Sequence, residues 1–225
     1  MTDISYQSTL LLAILLLTGC TALHTPFSDT IVLERGLESK KKSKGLSTTS
    51  SFFNSNIKSY ALKNHATEQA DGRFAGTNLL SFWLHRTWQY SNSAFGFAVG
   101  TGGIGADYSL RISHNLSWTT LINTGAHAET VIQSPVYRKT NSGLSAGLFY
   151  RSERYGIRGD CADTDGYVDC FIPPIKNRFR ISAIGLRLAH YHDANGFRQR
   201  IRFSIGYSPE LKGLVFIGGL GGEAL

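Results

Sequence analysis

From Leu80 onward the chain alternates. Leu80, Phe82, Leu84, Trp88 and Tyr90 share one parity, and Ser81, His85, Thr87 and Gln89 take the other. A period of two marks a strand with two unlike faces. The pattern returns with Phe95, Phe97 and Val99 against Ala94, Gly96, Ala98 and Gly100. It returns again with Tyr108, Leu110 and Ile112 against Asp107, Ser109, Arg111 and Ser113, and a reversal near His114-Asn115 leads to Leu116, Trp118 and Thr120. Further strands are expected at Thr130–Val136, Leu144–Arg151, Arg178–His190, Phe197–Tyr207 and Gly213–Gly218. Turn text separates them: Thr140-Asn141-Ser142-Gly143, Asp193-Ala194-Asn195-Gly196 and Ser208-Pro209-Glu210. Short alternating segments joined by polar turns predict an all-β antiparallel meander. Closing it into a barrel of about 8–10 strands removes the exposed edges.

The N-terminal text has a different logic. Leu10–Leu17 is an apolar run, far short of the about 20 residues a helix needs to cross a bilayer but suited to the apolar core of a signal peptide. It leads into Leu17-Thr18-Gly19-Cys20. These residues resemble the lipobox of bacterial lipoproteins, although the first nine carry Asp3 and no Lys or Arg. The resemblance implies removal of residues 1–19 as a signal peptide and acylation of Cys20, by diacylglycerol and a fatty acid such as palmitate. Thr21 stands where Asp would mark inner-membrane retention, which implies a lipid-anchored place at the outer membrane of a Gram-negative envelope.

Residues 20–78 read as a mostly flexible tether. They hold Lys40-Lys41-Lys42-Ser43-Lys44 and Ser47-Thr48-Thr49-Ser50-Ser51, with too few apolar residues to offset the entropy of ordering. Residues 79–225 then form the barrel domain. The formal net charge of +7 suits an acidic partner. Export excludes nucleic acid and leaves membrane lipid, held through the Cys20 acyl chains, and anionic envelope lipids or polymers. Cys161 and Cys170 share one polar loop, and in an exported chain they are expected to form a disulfide.

Three constellations could carry chemistry. Asp163, Asp165 and Asp169 alternate around Gly166, so their oxygens can converge on Ca²⁺; the spacing resembles one turn of the thrombospondin-type calcium repeats, and the bland alternative is an acidic surface loop. No other cofactor is indicated. His190 and His192 share a parity, with Asp193 next, a possible metal set or an exposed strand end. Arg198, Arg200 and Arg202 line one strand face and, with Arg178, Arg180 and Arg187, suggest a basic wall. That wall is an anion-binding rim, a barrel lumen paired with acids such as Asp107, or a solvated face. No nucleophile elbow, Gly-rich phosphate loop, HExxH or CxxC occurs, so no catalytic residue is assigned.

Ala106–Thr124, ADYSLRISHNLSWTTLINT, resembles the hairpins of small outer-membrane β-barrel proteins. The resemblance implies an outer-membrane-associated lipoprotein with a structural or binding role. Two other readings stay open: a tethered, soluble lipocalin-like barrel holding an apolar ligand, and a barrel enzyme acting on envelope lipids. The direction of Trp88, Trp118 and Phe203 separates the first two. If the His114-Asn115 turn is periplasmic, the cysteine loop lies on the outer side. A periplasmic start then requires one more strand before Leu79, expected within Phe52–Ala75.

Overall fold

The computed structural model describes residues 42–50, 52, 54–65, 74–75, 80–90, 92–100, 103–123, 128–158 and 175–224. Cys20, Cys161, Cys170, Asp163, Asp165 and Asp169 lie outside the described residues. The strands, in chain order, are β1 (Lys42–Ser50), β2 (Phe74–Ala75), β3 (Leu80–Gln89), β4 (Ser93–Gly100), β5 (Gly103–Ser113), β6 (Leu116–Asn123), β7 (Ala128–Lys139), β8 (Ser142–Arg158), β9 (Ile175–Ala194), β10 (Phe197–Ser208) and β11 (Gly213–Ala224). Among the described residues, one helix, α1 (Asn56–His65), follows β1.

All pairings are antiparallel, and β8 pairs with both β7 and β9, so the sheet β8-β7-β6-β5-β4-β3-β1-β11-β10-β9 closes on itself as a barrel of ten strands. The short β2 adds to β8 at Gly156 and Ile157. Among the described residues, three tight turns, at 114–115, 140–141 and 195–196, emerge from one end, where β1 begins and β11 ends; we call this the turn end. Asn195 and Gly196 both have positive φ, 51° and 77°, as a two-residue hairpin turn requires. β8 ends and β9 begins at the opposite, loop end, together with α1 and the 209–212 turn.

The two faces sort cleanly. Leu148, Ile184, Leu186, Ile201 and Phe203 point outward and are 59%, 59%, 61%, 56% and 48% exposed. Their neighbours Arg151, Arg187, Arg202 and Ser204 point inward and are buried. Trp88 and Trp118 share the outward parity of Phe82 and Tyr108. A soluble barrel buries its apolar face, and this one exposes it, so the arrangement opposes the lipocalin-like reading.

The loop end is stoppered. Phe52, Ile57 and Ala61 pack with Tyr155, Phe179, Ile181, Leu211, Val215 and Ile217 in the main apolar cluster. Asn54 pins the helix: its Oδ1 accepts from the Asn56 amide at 2.6 Å, and its Nδ2 donates to the Leu214 carbonyl at 2.6 Å. His65 closes the last turn by stacking on Phe179, with ring centroids 4.5 Å apart.

Two sequence expectations need correction. The span read as tether contains β1 and α1, so the barrel domain begins at Lys42 and not at 79. The strand that starts the meander at the turn end is β1, ahead of Phe52–Ala75 where it was expected. In KSKGLSTTS only Leu46 is a large apolar residue: Lys44 and Thr48 share its outward parity, and Gly45 on the other face meets His85. A half-polar strand of that kind looks like a linker when judged by hydrophobicity.

Candidate functional site

The interior is the densest concentration of chemistry in the chain. Strand parity builds it. In β7, Ile132 faces out, so Glu129, Val131 and Gln133 face in. In β10, Ile201 and Phe203 face out, so Arg198, Arg200, Arg202 and Ser204 face in.

Glu129 is the hub of one network. Its carboxylate lies 2.8 Å from Arg187, 3.3 Å from Arg202 and 3.5 Å from Arg151. It therefore gathers β7, β8, β9 and β10. Arg151 also contacts Glu153, and Glu153 accepts from the Phe52 amide at 3.2 Å and from the Tyr155 hydroxyl. Through this pair the polar lumen grips the segment that leads into α1. Arg187 donates to Ser204 Oγ at 3.1 Å and lies over the Phe149 ring.

Glu223 is the hub of the second network, nearer the turn end. Arg200 contacts it directly, Arg198 approaches to 4.0 Å, and His85 Nε2 stands 3.3 Å away. Asp193 takes the other side of Arg198 at 2.8 Å, while the guanidinium lies over Tyr191. The β5–β7 side of the lumen is lined instead by small polar groups, with Ser109 and Thr119 hydroxyls 2.8 Å apart and Gln133 reaching Ser145 at 3.4 Å.

Among the described residues, the buried charged side chains are Arg151, Arg187, Arg198, Arg200 and Arg202 against Asp107, Glu129, Glu153, Asp193 and Glu223, so signs balance there. The arrangement cross-ties strands and fills the lumen. Among the described residues, no group of three or more His, Cys, Asp or Glu side chains is placed to hold a metal.

The placement of the expected site residues is mixed. Arg198, Arg200 and Arg202 form an inner wall with Arg187, and their charges meet the protein's own carboxylates. Arg178 and Arg180 do not belong to it, since both are exposed on the outer face. Asp107 lies in the lumen against Gly96, and Glu129, Glu223 and Asp193 pair with the wall. Asp193 faces inward while His190 and His192 face outward, so these three do not form one metal set. Glu129, Glu153, Glu223 and His85 were not singled out by sequence. The available signal was a charge placed on the inward parity of an otherwise apolar strand.

The chain is similar to the crystal structure of the N-terminal β-barrel domain of Pseudomonas aeruginosa OprF. The match has 10% sequence identity and a TM-score of 0.33, and covers 82% of this chain and 97% of that one. No family model matches the chain. No curated protein matches it either.

Proposed function

We propose that this chain is an outer-membrane barrel of the Gram-negative envelope, anchored in addition by lipid on Cys20, with a structural or binding role. The observation that carries the reading is the apolar exterior around a charged interior. Strands of eight to twelve residues such as β4, β6 and β7, tilted as in membrane barrels, rise roughly 20–30 Å, enough for an apolar band about 25 Å tall. Aromatic residues gather toward both margins. Trp88, Phe95 and Phe197 stand toward the turn end, and Tyr150 and Tyr207 toward the loop end. The turn end is the periplasmic side in this reading and the loop end the outer side. A lumen filled by paired charges suits a load-bearing or docking barrel better than an apolar-ligand carrier.

The test is extraction. After Cys20→Ser, the protein should remain with the membrane in alkaline carbonate and show heat-modifiable gel mobility. Full release as folded, soluble β protein would overturn the reading.

A further inference from the structure

The β8–β9 hairpin outruns the rest of the barrel. β7 pairs with β8 only as far as Ser152, and β10 pairs with β9 only from Ile184, yet β8 and β9 stay paired out to Arg158 and Ile175. The overhang therefore has two strand edges. The β8 edge has already taken an added strand, β2, opposite Gly156 and Ile157. Among the described residues, no strand pairs with the other edge, on β9 before Ile184. α1 braces the overhang from the inward side, where Tyr60 and His65 pack on Phe179.

Backbone alternation decides which groups the β9 edge offers. Glu210, in the turn after β10, accepts from the Ser182 backbone N–H and from the Ser182 hydroxyl, the latter at 2.6 Å. The Ser182 amide thus points away from β8. Residues two apart in an antiparallel ladder turn their N–H and C=O groups to the same side, so those of Arg180 and Arg178 lie along the same edge. Both side chains are exposed on the outward face, and exposed Lys212 stands in the same turn as Glu210. A carboxylate caps the edge where β10 stops, and the next two positions along it carry cations. At the turn end, β7 overhangs β6 past Gln133, but Pro135, which has no N–H, and a bulge between Pro135 and Tyr137 blunt that edge.

Charge selects the occupant of the β9 edge. Two copies joined edge to edge would set these arginines against their own counterparts, and like charges opposite one another repel. An extended chain with carboxylates at alternate positions avoids that repulsion. Its backbone continues the ladder, and its acids meet Arg178 and Arg180.

We propose that the β9 edge at Arg178 and Arg180 is a strand-addition site for an acidic, extended polypeptide segment. The proposal gives a partner to the binding role above, and it rests on that reading for the side of the membrane on which the partner is met.

The test uses the full-length protein in detergent micelles and a short capped peptide alternating Glu with Val, labelled for fluorescence anisotropy. The peptide should bind the wild type and slow amide exchange at Arg178 and Arg180, leaving Phe179, whose amide is turned toward β8, unchanged. R178Q/R180Q should weaken affinity roughly tenfold or more, while R138Q/K139Q at the other end should bind as wild type. The same peptide with Lys in place of Glu, or with its edge-facing amides N-methylated, should not bind. Equal binding of either control peptide, equal binding by R178Q/R180Q, or failure of the Glu peptide to bind would overturn the proposal. So would edge-to-edge cross-linking of two copies, or binding that emerges only in D163N/D165N and so assigns the edge to the chain's own acids. Release of the Cys20→Ser protein from membranes would instead bring down the underlying reading. A barrel that stays inserted yet fails to bind the peptide defeats only this inference.

Discussion

His85 Nε2 and Glu223 Oε1 meet at 3.3 Å across a strand that belongs to neither of them. His85 is on β3 and Glu223 on β11, and the residue between them in register is Gly45 of β1. A Cβ on Gly45 would come within 2.8 Å of His85 Nε2. It would also collide with the Gly222 carbonyl oxygen. The missing side chain is what allows the two groups to touch over the seam.

Gly45→Val should therefore weaken closure. Overpacking of a tight site costs about 1–3 kcal/mol, and here the backbone of β1 must also shift from β11. The heat-modification midpoint should fall well below that of Thr48→Val, which alters an outward position on the same strand. Equal midpoints for the two variants would show that the seam tolerates a side chain at Gly45.

Glu129→Gln should be strongly destabilising. It leaves Arg151, Arg187 and Arg202 around a neutral amide. Breaking a buried pair in this way costs about 3–5 kcal/mol. Urea unfolding in lipid vesicles measures the loss. Adding Arg202→Met should recover part of it, because one of the guanidinium groups that Glu129 held is then gone. A single variant within about 1 kcal/mol of wild type would mean the hub carries little net energy.

Phe52→Ala should free α1 and spare the barrel. The Phe52 ring lies under the Arg151 guanidinium, 5.7 Å from centroid to carbon, and is buried with Ile57 and Ala61. Its backbone bond to Glu153 survives the substitution. Amide exchange should rise across 56–65 while β9 and β10 stay protected. Uniform loss of protection would show that the helix and the barrel unfold together.

Glu210 supplies a pH test outside the apolar band. Partial burial raises its carboxyl, but hydrogen bonds accepted from Ser182, Ser208 and backbone donors outweigh burial and hold it below its ordinary 4.5. A carboxyl depressed in the folded state contributes stability that is present above the unfolded value and is lost as pH falls through the folded one. Ser182→Ala should shift the Glu210 titration upward by NMR and reduce stability above pH 4.5 more than at strongly acidic pH. An unmoved titration would show that Ser182 does not set it.

The meander was legible because tilted strands with one apolar face keep their period of two. Phe95, Phe97 and Val99 announce β4 whichever side is wet. What alternation alone does not carry is the sign of the faces. Arginines at 198, 200 and 202 suit a soluble exterior and a membrane lumen equally, until Glu129 and Glu223 are seen opposite them. β1 was lost because its outward face carries lysine and threonine beside Leu46, a composition that also suits a linker. The Glu129 network was illegible in a deeper sense. Its members Arg151, Arg187 and Arg202 are spread over three other strands, and only the closed register brings them together.

The seating of β1 between β3 and β11 also makes the order of synthesis matter. Until Gly213–Ala224 emerges, the growing ribbon has two naked margins, one on β1 and one on β10, each a template for a neighbouring chain. Among the described strands, β11 is the one that satisfies hydrogen bonds along both margins. A nick there turns a closed sheet back into an adhesive strip, so the hazard is concentrated in the β10–β11 hairpin.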